Sequence, residues 1–124
     1  MGIKTKGAQE IQIFTDAKRL CDQILISTKN APKLYRWSIV NRLITTSLDV
    51  VEMIYFINEM RDHPLRDKRK HDIDSKLKYL GYLITVAEKM TVLNGKQVEN
   101  MSRLILETRR ALWGWINASP SSAK

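Results

Sequence analysis

Four amphipathic stretches of about twenty residues, divided by short breaks, are the feature that most constrains this chain. In the first, Phe14, Ala17, Leu20, Cys21, Ile24 and Leu25 recur at three- and four-residue steps. Asp16, Lys18, Arg19, Asp22 and Gln23 fill the opposite side, which predicts a helix over 9–28. Pro32 ends it, because its ring disfavours helical geometry at Ala31 and removes a backbone donor. The second stretch, 35–60, carries Trp37, Val40, Leu43, Ile44, Leu48, Val51, Ile54 and Tyr55 on its predicted core stripe, with Ile39, Val50 and Ile57 beside them. The third is expected to begin at Asp67, whose carboxylate is suited to capping the first free amides. Its core stripe is Ile73, Leu77, Leu80, Ile84 and Ala87. In the fourth, Asn94 and Gln97 form a capping-box pattern, and Val98, Met101, Ile105, Thr108, Leu112 and Trp115 keep the helical period to residue 117.

With only 5 Gly and 3 Pro, the chain lacks the turns an all-β domain needs. Its 124 residues suffice for one core. Helices of about 30 Å joined by short connections must run antiparallel. The expectation is an all-α, up-down-up-down four-helix bundle over 1–117, followed by a disordered tail at 118–124.

Catalytic patterns are missing from the sequence. His63 and His71 lack the four-residue spacing that puts two ligands on one helical face, and Asp49 with Glu52 is a single acidic pair rather than a di-metal set. There is no glycine-rich phosphate loop and no nucleophile elbow, and nothing supports Cys21 as a nucleophile. These readings predict a non-enzymatic protein without metal or cofactor. A lone cysteine at an apolar helical position, an N-terminal segment without a signal-peptide core, and Glu52 interrupting the apolar run at 50–57 together predict a cytoplasmic protein that does not enter membranes.

Charge points to a partner. The chain carries a formal +8, and the excess is local: residues 61–78 hold seven basic and four acidic side chains, whereas 33–59 hold three of each. Clustered Lys and Arg are the electrostatic footprint of a nucleic-acid partner. The predicted contacts are Lys33, Arg36, Arg42, Lys68, Arg69, Lys70, Lys76, Lys78, Arg103, Arg109 and Arg110. Their guanidinium groups match phosphate with planar paired donors. A second stripe on the third helix, Tyr79, Leu83, Val86 and Met90, exceeds what one bundle core requires and predicts a subunit interface.

Three segments resemble the four-helix-bundle family of accessory variability determinant proteins of diversity-generating retroelements, whose relatives include proteins encoded by insertions in 23S ribosomal RNA genes. They are Pro32-Lys33-x-Tyr35-Arg36-Trp37, continued by Arg42-Leu43 and Leu48-Asp49-Val50-Val51-Glu52; the set Asp74, Leu77, Leu80, Leu83 and Ala87; and Glu107, Arg110, Leu112, Gly114, Trp115 and Ile116. The resemblance implies a homopentameric barrel of bundles that binds a retroelement reverse transcriptase and its template RNA or cDNA, supporting mutagenic reverse transcription. The alternative is a stand-alone bundle of the ribosomal-insertion type with a structural or RNA-binding role. Gly81 and Thr85 stand where family members often carry arginine, and Trp113 stands where a small residue is common. Trp113 is therefore expected to pack on a neighbouring subunit or stack on a planar group, and Gly81 to mark a close backbone approach.

Overall fold

The computed structural model describes residues 4–60 and 62–117, with side chains described over 12–60 and 62–115. The described residues form α1 (Lys4–Thr28), a single turn α2 (Lys33–Tyr35), a π-helical turn (Arg36–Val40), α3 (Asn41–Glu59), α4 (Arg66–Lys89) and α5 (Gly95–Asn117), with no strand among them. The expected tail at 118–124 lies outside the described residues.

Each long helix packs against two others: α1 against α3 and α5, and α4 against the same pair. Bonds across the seams fix the antiparallel register. Arg42 donates to the Tyr79 hydroxyl (3.1 Å) and Lys76 pairs with Asp49 (3.6 Å) across α3–α4. Arg109 bonds Asp74 (2.8 Å) and Lys70 donates to the Trp115 carbonyl (3.1 Å) across α4–α5. In both seams one residue number falls as the other rises. This is the four-helix bundle expected from the periodicity.

The helix ends follow local chemistry. Asn94 and Gln97 close a reciprocal capping box: the Asn94 amide donates to Gln97 Oε1 (2.9 Å) and the Gln97 amide to Asn94 Oδ1 (2.8 Å). The expected Asp67 cap is not formed. Leu65 occupies the cap position of α4, its amide donates to His63 Nδ1 (3.1 Å), and Asp67 sits in the first turn, where its charge complements the helix dipole. At the far end of α4, Thr91 adopts φ 58°. Its amide donates to Glu88 O (2.9 Å) and that of Val92 to Ala87 O (2.9 Å), a Schellman closure that normally employs glycine.

The core contains Ile13, Ala17, Leu20 and Ile24 from α1; Leu43, Val50, Ile54 and Ile57 from α3; the whole predicted α4 stripe; and Met101, Leu104, Ile105, Leu112 and Trp115 from α5. Burying each large side chain contributes about 1.5–3 kcal/mol. The α3 stripe requires correction: Trp37, Leu48 and Tyr55 are 88%, 49% and 50% exposed. The buried face runs instead through Leu43, Thr46, Ser47, Val50, Ile54 and Ile57. Ser47 fits inside because its Oγ donates to the Ile44 carbonyl (2.9 Å), satisfying the polar group within its own helix. Asp16, read as solvated, is also buried and accepts from Gln12 Nε2 (2.8 Å). No close backbone approach explains Gly81, since a Cβ there would meet only Ile105 Cδ1 at 3.9 Å.

Candidate nucleic-acid interface

The predicted cations fall into three groups. The first is Lys70 alone, buried beneath the last turn of α5 together with Arg66, a cation one helical turn earlier on α4 that was not among the predicted contacts. The charged groups of Arg66 and Lys70 lie 5.3 and 5.1 Å from the Trp115 ring centroid. Lys70 is fully buried, and its ammonium donates to the Trp115 carbonyl, with Asp67 Oδ1 3.8 Å away. That carbonyl is among the last four of α5, which have no intrahelical donor. Lys70 therefore leaves the predicted nucleic-acid set: its ammonium serves a helix end inside the protein and is closed to an external phosphate.

A second group is exposed or half-exposed but engaged with other side chains, in all but one case an acid. Arg109 grips Asp74 through Nε (2.8 Å), with a longer contact from Nη2 (3.5 Å), and Lys78 approaches the same carboxylate at 3.4 Å. Burial pushes the Asp74 carboxyl up, but hydrogen bonds and charge from Arg109 and then Lys78 outweigh it and hold the group below its ordinary value. Lys76 pairs with Asp49 (3.6 Å), Arg103 with Glu107 (3.2 Å) and Arg69 with Asp72 (3.9 Å). Arg42 is exposed and bonds the Tyr79 hydroxyl.

Lys33, Arg36, Lys68 and Arg110 form the third group: exposed, and without an acidic partner within 4 Å among the described residues. Lys33 and Arg36 stand at the α1–α3 end of the bundle, Lys68 and Arg110 toward the opposite end. The fold thus brings the predicted cations together at two ends rather than in a single patch.

The first end is shaped by the π turn. Pro32, at φ −56°, sets the chain up for α2, and the Asn41 amide reaches the Arg36 carbonyl five residues back, so the turn holds an extra residue. That widening lets consecutive β-branched residues, Ile39 and Val40, both face the core, and it leaves Trp37 projecting. A notch of about 310 Å³ opens beside it, bordered by Leu25, Lys29, Arg36, Trp37, Asn41 and Ile44 among others. Helical periodicity alone places the Trp37 ring in the core, and nothing in the spacing singles out Lys29. The signal available was the cationic company of that indole: Lys33 one turn before it and Arg36 adjacent.

The predicted interface stripe is also redistributed. Leu83 is buried in the chain's own core, where Val86 and Met90 pack partly buried against it, so Leu83 is closed to a second copy. Tyr79 and Trp113 are each 39% exposed, and Trp113 meets His71 edge-on at 5.5 Å. The larger apolar exposure lies on α3, where Leu48, Tyr55 and Phe56 border an open groove with Val51, Glu52 and Glu59. Among the described residues no cluster of His, Cys, Asp or Glu is arranged to hold a metal, and no helix is long and apolar enough to cross a membrane.

Fold and surface together define a basic antiparallel four-helix bundle with cations at both ends and an uncovered apolar face. The chain belongs to the bAvd-like family, whose family model matches residues 10–119, nearly all of the bundle. No curated protein and no solved structure matches it.

Proposed function

We propose that this protein is a non-enzymatic accessory subunit of a diversity-generating retroelement: a cytoplasmic, basic, homopentameric scaffold that binds the reverse transcriptase together with its template RNA or cDNA. The bAvd-like family match over residues 10–119 carries this reading. The chemistry of the surface supports it. Lys33, Arg36, Lys68 and Arg110 are available to phosphate, and the α3 groove offers Leu48, Tyr55 and Phe56 to a neighbouring copy. Glu52 and Glu59 in that groove would meet a partner of net charge +8 favourably. Copies related by a closed symmetry gather equivalent cations around one axis, which multiplies the local field.

The test is copurification with a reverse transcriptase encoded beside this gene, together with cDNA synthesis in a strain lacking it. The expected result is a stable complex and loss of cDNA on deletion. A protein that neither associates with the polymerase nor affects cDNA yield refutes the proposal. Nucleic-acid affinity should fall steeply with salt, each neutralised phosphate contributing about 0.9 to the log–log slope on duplex.

A further inference from the structure

Trp37 presents an indole to solvent at 88% exposure, more than any other large apolar side chain described. An indole so placed loses the benefit of burial unless something covers it. Its surroundings indicate what. Every charged residue bordering the adjacent notch is a cation, Lys29 and Arg36, with Lys33 one helical turn earlier and Asn41 adding an exposed amide. The apolar border consists of Leu25, Val40 and Ile44 beside the ring. Further along α3 Tyr55 and Phe56 border a groove whose charged residues are Glu52 and Glu59, and the cations near these rings lie to its sides, Lys18 5.5 Å over Tyr55 and Arg69 in the neighbouring pocket with Phe56. The two grooves therefore differ in their lining: the one at Tyr55 and Phe56 offers carboxylates to another copy of a basic chain, and the notch at Trp37, whose bordering charges are all positive, suits a planar group attached to phosphate.

We propose that Trp37 is a stacking platform for an unpaired base of single-stranded nucleic acid, with Lys29, Lys33 and Arg36 holding the neighbouring phosphates. This rests on the nucleic-acid-binding reading above and narrows it to one strand state and one site. A duplex keeps its base faces stacked on one another and leaves the indole nothing planar to cover, whereas every unpaired base has a free π-face. Selectivity for sequence at this site is low, because stacking and phosphate contacts carry little base information. The guanidinium of Arg36 and the indole act on different parts of the same nucleotide, so the two contributions separate experimentally.

The experiment measures fluorescence anisotropy of labelled oligo-uridine, oligo-thymidine and a duplex of equal length with the wild-type protein, Trp37→Ala, Trp37→Phe and Arg36→Gln, with particle mass followed by light scattering. Trp37→Ala is expected to weaken both single strands about ten- to one-hundredfold while leaving the duplex and the salt slope unchanged. Trp37→Phe should retain most of the affinity, and Arg36→Gln should lower the single-strand salt slope by about 0.7. Tighter binding of oligo-uridine assigns the site to RNA, and equal binding assigns it to unpaired strands of either sugar. Wild-type-like single-strand affinity in Trp37→Ala overturns the platform and leaves the broader reading standing. A lower particle mass in Trp37→Ala also overturns it, making the indole a subunit contact. A wild-type protein that binds none of the three probes removes both readings together.

Discussion

Arg109 tests whether this protein's arginines serve an external polyanion or its own fold. Arg109→Leu keeps most of the aliphatic stem on α5 and deletes the guanidinium that grips Asp74. The carboxylate it abandons is only 8% exposed, and its other cation, Lys78, is 62% exposed and 3.4 Å away, a weak substitute. A hydrogen bond to a charged group contributes about 1.5–3 kcal/mol, and stranding a fully buried charge costs about 3–5 kcal/mol. The Arg109 side chain is 29% exposed, so water can reach the vacated site, and the lower range applies: about 2 kcal/mol. At about 4 °C per kcal/mol this lowers Tm by roughly 8 °C. Asp74→Asn should cost less, since the Arg109 it leaves behind can turn to solvent.

The pH dependence separates charge from packing. Asp74 has its carboxyl held below the ordinary value in the folded protein. Its contribution is therefore fully present above the unfolded-chain value of about 3.9 and is lost as pH falls through the lower folded value. Denaturant unfolding of wild type and Arg109→Leu at fixed protein concentration should show the full gap near pH ~7, and the gap should shrink as acid protonates Asp74 first in the variant, where burial is no longer offset by Arg109, and then in wild type. A gap that stays constant into acid would show that Arg109 acts through its stem, and the ion-pair argument would fail. In salt titrations with duplex, Arg109→Leu should leave the slope near wild type, while Arg110→Gln lowers it by about 0.9.

Lys70→Ala should cost about 3–5 kcal/mol, combining three lost methylenes at about 0.8 kcal/mol each with a charge-assisted bond, whereas Lys70→Met should cost less than about 1.5 kcal/mol because it refills the stem and removes a buried charge; equal losses in denaturant would refute that division. Gly81→Ala should stabilise by about 1 kcal/mol from helix propensity, since its methyl meets only Ile105 at ordinary contact distance. Thr91→Gly should stabilise by about 1 kcal/mol by relieving a β-branched residue at φ 58°. A loss of stability in either variant, read from thermal melts, contradicts the corresponding geometry. Phe56→Asp should lower the particle mass in light scattering while far-UV dichroism stays helical, whereas Leu83→Asp, a charge in the core, should lose helical signal; a folded Leu83→Asp of reduced mass would restore the α4 stripe as the interface.

Periodicity was sufficient to locate the four long helices and the cores of α4 and α5, because in those segments large aliphatic residues mark the buried face unambiguously. It failed on α3 for a definite reason. Two adjacent stripes compete there, and the one that is buried contains Thr46 and Ser47, whose hydroxyls look polar in sequence but are compatible with burial. The stripe with the larger side chains, Leu48 and Tyr55, therefore drew the assignment. The π turn deepened the error, since an extra residue in the turn rotates everything before it and carries Trp37 away from the core. For the cations, charge along the chain shows where Lys and Arg cluster but not which side chains they meet. Lys70 and Arg109 differ from Lys68 and Arg110 only in which helix lies opposite, a tertiary fact that charge counting along the chain does not contain.

That partition of cations limits how the surface can work. Carboxylates of the bundle engage Arg109, Lys78, Lys76, Arg103 and Arg69, so these five add less to the outward field than the formal +8 suggests. Lys33 with Arg36 and Lys68 with Arg110 stand at ends separated by roughly 30 Å of helix, several times the Debye length of about 8 Å at physiological ionic strength. Within one chain the two clusters therefore act independently, and no short polyanion engages both. In a ring whose axis runs along the helices, Lys33, Arg36 and Trp37 of every copy would collect on one rim, and Lys68 and Arg110 on the other. Like clusters then become each other's nearest cationic neighbours, so occupancy along a rim can be cooperative while the two rims stay uncoupled. A scaffold of this kind can carry a strand on one rim and leave the other free for a second polyanion or a polymerase.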